Sequence, residues 1–337
     1  MAVNVGILGI GTYIPDEFMT AAEISKATGG TWSEDAVINK LGIVKKPVTQ
    51  TVGTQEMGYL AAKACIENAK IDPLEIDVIL CMGEEYKEYP LTTSALYIQD
   101  KIGATNAWGI DVQNRCCTTV SAIKMAKDML VADDEIDTIL IAGGYRNGDF
   151  IDYTDSNVSF MFNLSAGGGA ILLRKNLGKN LILGSHIISD ASLARTAGVE
   201  IGGQNNPITA ENMDIARRSL RLMDAEAMKT RLNEVSMKNW YTCIDRAFEK
   251  SSMTRAQMDY LAILHIKPSG HKALLSELGL TEEQSIYLEN YGHIGQVDKI
   301  LSLELALKSG QVKDGSTVCM LSAGIGYVWA ASVIKWG

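Results

Sequence analysis

The chain has 337 residues, of which 47% are hydrophobic and 21% charged, a composition typical of a globular protein with a large core. The formal net charge of −9 argues against non-specific binding to nucleic acid. No apolar run approaches the roughly 18 residues of a membrane span, which predicts no membrane segment. The first residues lead straight into a strand-like segment without a basic region, so we expect no signal peptide.

Strand-like and helix-like segments alternate along the N-terminal part of the chain. Such alternation is typical of an α/β protein in which helices cover mixed sheets. The pattern predicts strands over 5–10, 77–82, 107–112, 138–144 and 166–173, and helices over 55–68, 92–102 and 121–130. A long polar stretch, 212–250, predicts a helical segment with a solvated face.

The C-terminal part repeats this order, which predicts two copies of one α/β unit, over residues 1–175 and 176–337. Each copy places its strands at corresponding positions. The matched strands are 77–82 with 259–264, and 138–144 with 317–324.

The cysteines show no pattern of a disulfide framework or of a metal site. There is no CxxC pair and no Cys/His spacing of the zinc type, so we expect no metal. A chain of this size has no need of disulfides, which favours reduced thiols in a cytoplasmic protein. The six are Cys65, Cys81, Cys116, Cys117, Cys243 and Cys319.

Cys116 is the candidate nucleophile. It lies between the predicted strand 107–112 and the predicted helix 121–130. A cysteine in the first turn of a helix is close to the positive end of the helix dipole, which favours the reactive thiolate. A lone cysteine is more often a small buried apolar residue, so the prediction depends on the residues that accompany it.

Two histidines and a glycine-rich turn accompany Cys116. His265 follows the predicted strand 259–264, at the end where open α/β sheets place their sites. His293 lies in a turn bounded by glycines. Gly324 and Gly326 allow a backbone N–H to face a substrate, and with the Cys116 N–H they predict an oxyanion hole. This set suits acyl transfer through a thioester.

The chain resembles the thiolase superfamily, and within it the 3-oxoacyl-carrier-protein synthase III group. The resemblance runs nearly from end to end. It implies a five-layered αβαβα fold of two similar halves, and usually a homodimer. It is carried by the segments 9–15, 41–43, 111–116, 223–227, 254–265 and 324–329.

The resemblance also implies roles for the candidate residues. Cys116 matches the acyl-accepting nucleophile, and His265 matches the first catalytic histidine. His293 falls where the synthase III group keeps asparagine, whereas elongating ketoacyl synthases carry histidine there. Either residue can donate a hydrogen bond to a thioester oxygen as an enolate forms.

An acidic segment, 83–90, is a second departure from the synthase III pattern. The related hydroxymethylglutaryl-CoA synthases place a catalytic glutamate here, and Glu85 matches it. The alternative is a solvated acidic loop. For the phosphates of coenzyme A or of a carrier protein, Lys40 matches one basic position of the family, and a cluster in the polar stretch is another candidate. That cluster is Arg217, Arg218 and Arg221.

The predicted function is a condensing acyltransferase. An acyl-CoA acylates Cys116, and a malonyl-type or acyl thioester then supplies a carbanion to give a β-ketoacyl thioester. The substrates are coenzyme A thioesters with an acyl carrier protein as a candidate partner, and no metal or redox cofactor is implied. Three alternatives remain: non-decarboxylative condensation using Glu85, acyl transfer to oxygen or nitrogen, and a non-catalytic scaffold.

Overall fold

Strands and helices alternate through residues 3–337, the part of the chain that the computed structural model describes. The strands are β1 (Val5–Tyr13), β2 (Phe18–Thr20), β3 (Lys45–Pro47), β4 (Val78–Met82), β5 (Trp108–Val112), β6 (Thr138–Tyr145), β7 (Gly167–Lys175), β8 (Leu181–Ser189), β9 (Ala197–Val199), β10 (Leu220–Leu222), β11 (Tyr260–Ile263), β12 (Thr317–Gly324) and β13 (Val328–Lys335). The helices are α1 (Ala21–Ala27), α2 (Glu34–Ala36), α3 (Thr54–Ala69), α4 (Ser94–Ile102), α5 (Thr118–Ala132), α6 (Met213–Ala216), α7 (Ala225–Lys250), α8 (Pro268–Leu278) and α9 (Asp298–Ser309).

The polar stretch 212–250 differs from its prediction as one helical segment. The short strand β10 interrupts it and pairs with β9. The Leu-Arg-Leu alternation of β10 is typical of a strand with one covered face, and Leu220 is buried. The long helix begins only at Ala225, where the Asp224 side chain accepts a hydrogen bond from the Ala227 N–H at 2.9 Å.

Nine strands form one sheet in the order β11-β12-β13-β8-β1-β7-β6-β4-β5. In the first half, β1 pairs antiparallel with β7, β7 antiparallel with β6, and β6 parallel with β4. In the second half, β8, β13, β12 and β11 pair in the same order and orientations. The pairing between Gly6 and Leu181 joins the two sets of strands. Duplication of one α/β unit would produce this strand order. The division of the chain between residues 175 and 176 stays a prediction.

Five layers follow from where the apolar side chains pack. Helices α5 and α9 lie between the two halves of the sheet, where Ile123 and Leu303 belong to the largest buried cluster. Helices α3 and α4 cover the outer face of the first half, with Ile98 buried. Helices α7 and α8 cover the outer face of the second half, with Ile244 and Leu275 buried. The predicted αβαβα fold is therefore confirmed.

This topology brings the ends of several strands to the centre of the molecule. β5 ends just before the turn that carries Cys116, and β11 ends just before His265. β5 lies parallel to β4 and β11 lies parallel to β12, so each strand ends at the same edge of the sheet as its neighbour. Among residues 3–337, no helix is both long and apolar enough to cross a bilayer.

Candidate active site

Cys116 lies in a single 3₁₀ turn, Arg115–Cys117, that leads directly into α5. Arg115 adopts a left-handed backbone conformation with φ of 51°, which is uncommon for a residue with a side chain. Cys116 is the partly exposed cysteine among the six, and the other five are buried. All six are free thiols. The tight turn therefore presents one sulfur atom at the start of a helix.

The sulfur of Cys116 contacts the imidazole of His293. The distance from Sγ to Nε2 is 3.1 Å. On the other side of the ring, Nδ1 is 2.5 Å from Oδ2 of Asp298, the first residue of α9. The three side chains thus form a continuous chain of hydrogen bonds from a thiol to a carboxylate. The structure brings two of the predicted site residues together and adds a third.

Asp298 changes the protonation of His293. Burial by itself lowers the pKa of the imidazole, but the Asp298 carboxylate and the Cys116 sulfur outweigh it and raise the pKa to about 10. The pKa of Asp298 is lowered in spite of its own burial, because His293 and then Lys299 stabilise the carboxylate. At neutral pH the ring is therefore an imidazolium that donates from both nitrogens.

His265 has different partners. Its Nε2 is 2.9 Å from the Gly42 carbonyl oxygen and its Nδ1 is 2.8 Å from Nδ2 of Asn163. The amide of Asn163 must donate to Nδ1, so Nε2 carries the proton and donates to Gly42. Burial lowers the pKa of His265 to about 4, and the ring is neutral. Neither ring nitrogen contacts Cys116 among the described residues.

Asp298 and Lys299 are the residues that sequence reasoning missed. The Lys299 ammonium group donates to the Cys116 carbonyl oxygen at 2.7 Å, and the Ser322 hydroxyl donates to the same oxygen at 2.7 Å. These bonds hold the turn on which Cys116 lies. The available signal was the run Gly-His with Asp-Lys five residues later, but an acidic residue at the start of a helix is also an ordinary cap.

Gly324 lies against the backbone of the nucleophile. A Cβ at this position would come within 3.0 Å of the Cys116 N and 3.1 Å of the Arg115 Cβ. Gly326 has φ of 142° and lines a cavity of about 290 Å³ together with Arg115 and Tyr327. A side chain at Gly324 would press on the turn, and the positive φ of Gly326 favours glycine, and both positions lie where an oxyanion hole is predicted.

The acidic segment places Glu84 inside the protein and Glu85 outside it. The side chain of Glu84 is buried, 3.4 Å from Nη1 of Arg115 and 3.2 Å from Nδ2 of Asn147. Burial raises its pKa. Glu85 is 68% exposed and pairs with the same arginine at 3.2 Å. The prediction of a carboxylate at the site therefore fits Glu84 better than its neighbour, because the turn after β4 directs the first of the two inward.

The basic candidates lie in different places. Lys40 is exposed in the turn before Gly42. Arg217 and Arg218 line a cavity of about 560 Å³, and Arg217 pairs there with Asp149 at 3.3 Å. Arg221 pairs with two aspartates, at 3.1 Å from Asp152 and 3.8 Å from Asp155.

This cavity lies behind the site. Its wall includes Leu164 and Ser165, and the Ser165 N–H donates to the His293 carbonyl oxygen at 3.0 Å. Arg146 also lines the cavity. The Nε of Arg146 and the Oγ of Ser165 are buried without a hydrogen-bond partner within residues 3–337. The cavity therefore borders on polar groups that the described residues leave unpaired.

Two family profiles match the chain. One, described as "3-Oxoacyl-[acyl-carrier-protein (ACP)] synthase III", matches residues 110–191 and includes Cys116. The other, described as its C-terminal part, matches residues 248–336 and includes both histidines. Together they cover just over half of the chain.

Similar proteins agree over the whole length. A β-ketoacyl-[acyl-carrier-protein] synthase III of Azobacteroides pseudotrichonymphae is 27% identical over 99% of this chain and 98% of its own length. The crystal structure of 3-oxoacyl-[acyl-carrier-protein] synthase III from Aquifex aeolicus superposes with a TM-score of 0.84 at 19% identity, covering 98% of this chain and 100% of that one. The priming β-ketosynthase of the R1128 polyketide pathway gives 0.84 at 20% identity, covering 98% and 96%.

The fold of these solved structures, the profile matches and the Cys116 turn agree. The chain belongs to the 3-oxoacyl-[acyl-carrier-protein] synthase III family of the thiolase superfamily.

Proposed function

We propose that the protein is a thioester-condensing acyltransferase that makes β-ketoacyl thioesters, with Cys116 as the acylated residue. The observation that carries this proposal is the contact of 3.1 Å between Cys116 Sγ and His293 Nε2 at the start of α5. The helix dipole and the neighbouring imidazolium both favour the thiolate, which is the nucleophilic form.

The first half-reaction loads the enzyme. The Cys116 thiolate attacks the carbonyl carbon of an acyl thioester, a new C–S bond forms, and the bond to the donor thiol breaks. In this proposal the N–H groups of Cys116 and Gly324 donate to the developing oxyanion, and the close packing of Gly324 against the Cys116 backbone supports that role. The donor leaves as a thiol after it takes up a proton.

The second half-reaction forms the carbon–carbon bond. A malonyl-type thioester loses CO₂, and the electron pair of the broken bond becomes an enolate. The enolate carbon attacks the acyl group on Cys116, and the cysteine leaves as a thiolate. His293 is the donor nearest to the reacting sulfur. His265 reaches an enolate oxygen only by exchanging its hydrogen bond to the Gly42 carbonyl.

The cavity behind the site supports a donor that bears phosphate, either coenzyme A or the phosphopantetheine of an acyl carrier protein. Arg217 and Arg218 lie on its wall with exposed side chains. A local cationic patch is needed because the whole chain carries a net charge of −9 and repels an acidic donor at long range.

We further propose a homodimer built on the edge strand β5. It is the last strand of the sheet, and it exposes Trp108 by 50% and Ile110 by 45%. An apolar edge strand without a neighbour is a ready surface for pairing with a second copy. The free thiols support a cytoplasmic location.

The test is to incubate the protein with a panel of acyl-CoAs and acyl carrier proteins and to measure the mass of the intact chain and of the Cys116 peptide. We expect a selective adduct that is lost in Cys116→Ala and retained in Cys117→Ala, the matched control beside it. A malonyl donor added next should release a β-ketoacyl thioester. No adduct from either class of donor would refute the proposal, and an adduct without a β-keto product would refute condensation.

A further inference from the structure

We infer that Asp298 is a positioning residue that keeps His293 protonated toward Cys116, so that the three side chains act as one relay. The inference concerns the state of the site before any substrate binds. It rests on the proposed function only for the steps that follow acylation.

The carboxylate of Asp298 is held rigidly. Oδ1 accepts from the Ile294 N–H at 2.7 Å, and Oδ2 accepts from the His265 N–H at 2.8 Å as well as from His293. Asp298 has no exposed surface. As the first residue of α9 it also lies at the positive end of that helix, which stabilises a negative charge. The structure therefore provides for an ionised carboxylate in the interior.

This carboxylate decides which nitrogen of His293 faces the sulfur. Because Oδ2 can only accept, Nδ1 must carry its proton, and Nε2 is left for Cys116. A neutral ring in this orientation accepts the thiol proton, and the resulting imidazolium is stabilised by Asp298. An asparagine at position 293, as in the synthase III pattern, could donate a hydrogen bond but could not take up a proton.

The relay accounts for each proton in the reaction. The proton of Cys116 passes to His293 as the nucleophile forms, which gives a thiolate–imidazolium pair. When the thiolate displaces the donor thiolate from the acyl group, His293 Nε2 gives that proton to the leaving sulfur. The ring then takes a proton from water, because Asp298 still favours the imidazolium. The ring donates a hydrogen bond to the enolate oxygen and keeps its proton. The departing Cys116 thiolate then restores the pair.

Several titratable or charged groups besides Asp298 face the His293 ring or lie next to it. Tyr145 on β6 has its ring centroid 6.1 Å from the imidazole centroid. The pKa of Tyr145 is raised by burial first and then by Cys116, Glu84 and Asp298. His265 lies beyond Asp298 and is neutral, and Lys299 lies beneath the Cys116 carbonyl. Asp298 is the group in hydrogen-bond contact with Nδ1, so it is the group to change.

The first experiment measures alkylation of Cys116 by iodoacetamide as a function of pH, which needs no substrate and reads the thiolate directly. In Asp298→Asn the amide oxygen can still accept from the His265 N–H and from Nδ1 of His293, but the negative charge that stabilises the imidazolium is lost. We expect alkylation to fall roughly tenfold or more at pH values above the lowered pKa of the ring, since losing a contacting opposite charge lowers that pKa by about 1–3 units and weakens the hold of the ring on the Cys116 proton by the same factor. The matched control is Asp128→Asn, an exposed carboxylate of α5.

The second experiment separates a relay from a purely structural role. Asp298→Asn is repeated in a His293→Asn background, which carries the amide of the synthase III pattern. If the two residues act as a unit, His293→Asn alone reproduces the loss and Asp298→Asn adds nothing to it. Unchanged alkylation in a folded Asp298→Asn protein would overturn the inference, and so would an equal loss in both backgrounds. If Asp298→Asn does not fold, His293→Asn alone decides: wild-type alkylation refutes the relay.

Because alkylation is read without a thioester, failure of the proposed condensation leaves this result standing. Conversely, a normal alkylation profile in the variants would leave condensation open while removing the relay.

Discussion

The two buried histidines of the site differ in charge, since the His293 ring is an imidazolium and the His265 ring is neutral. His293 and His265 are both almost fully buried, and both are linked to Asp298, one through its ring and the other through its backbone N–H. The pKa of His293 is raised to about 10, whereas burial lowers that of His265 to about 4. The difference lies in the hydrogen-bond partner of Nδ1, which is the Asp298 carboxylate for His293 and the Asn163 amide N–H for His265.

This comparison teaches that burial alone does not determine how a histidine titrates in this centre. Desolvation disfavours the imidazolium at both positions. A single acceptor at hydrogen-bond distance reverses the outcome at His293. The same chemistry therefore assigns proton transfer to His293 and a neutral, hydrogen-bonded role to His265, and the following changes test that assignment.

Replacing His293 has the largest expected effect. In His293→Ala Cys116 loses the imidazole that takes up its proton and passes it to the leaving sulfur, and we expect acyl transfer to fall by about 10²–10⁴-fold, the usual contribution of a positioned general acid or base. The measurement is the single-turnover rate of Cys116 acylation by intact mass. A folded variant that retains more than a tenth of the wild-type rate would contradict the assignment.

Asn163→Asp should narrow the difference between the pKa values of the two rings. It places a carboxylate where an amide now lies 2.8 Å from Nδ1 of His265. We expect the pKa of His265 to rise by about 1–3 units, as it does when an opposite charge contacts a titratable group. NMR titration of the histidine ring protons reports the shift directly. Asn163→Gln, which keeps an amide, is the control and should leave the ring neutral at pH values where the aspartate variant is charged.

Acidification should destabilise the protein through the neutral histidines. The pKa of His265 and that of His271 are both lowered from 6.5 to about 4, so between these values the unfolded chain binds protons that the folded protein does not. Each contributes a loss of about 1.4 kcal/mol per pH unit as the pH falls through this window. Urea unfolding across the window measures the slope, which should be shallower by that amount in His271→Gln.

His293 contributes with the opposite sign. Because its folded pKa is raised, its contribution is fully present below about pH 6.5 and is lost as the pH rises toward 10. Stability that falls with acidification even when both neutral histidines are replaced would point to other groups as the cause.

His265→Ala has the smallest expected effect on the first half-reaction. It leaves the Gly42 carbonyl and the Asn163 amide unpaired, which should lower the free energy of unfolding by about 1–3 kcal/mol. Acylation of Cys116 should change less than about tenfold, because His293 remains in place. Buried His271, which bonds Ser285 at 3.0 Å, provides the matched control variant. A loss of acylation as large as that of His293→Ala would show that His265 contacts the reacting sulfur.

The sequence was a good guide to the layers of the fold and to the positions of Cys116, His265 and His293. Cys116 and His265 follow apolar strands, whose ends converge in an α/β fold, and His293 lies in a glycine-bounded turn, so local pattern sufficed. The partners of the histidines were not predictable in the same way. Gly42 lies 223 positions from His265 and Asn163 lies 102 positions away, and no local pattern links such distant residues.

Sequence patterns also could not predict which of Glu84 and Glu85 is buried. Both are acidic, adjacent and in a turn, where side chains follow neither the period of a strand nor that of a helix. Only the bend after β4 determines which carboxylate is buried. Asp298 was missed for another reason. An aspartate at the start of a helix is already explained as an ordinary cap, so no pattern distinguishes one that also contacts His293.

The middle layer ties the two halves together in a way that bears on cutting the chain. Helices α5 and α9 pack against strands of both halves. A nick between β7 and β8 leaves α5 on one fragment and α9 on the other, and each helix then lacks the strands of the opposite half against which it packs. Neither fragment has a complete core alone, but the two cores are complementary. The gene can therefore be divided there to make a split enzyme whose activity reports that its two fragments have met.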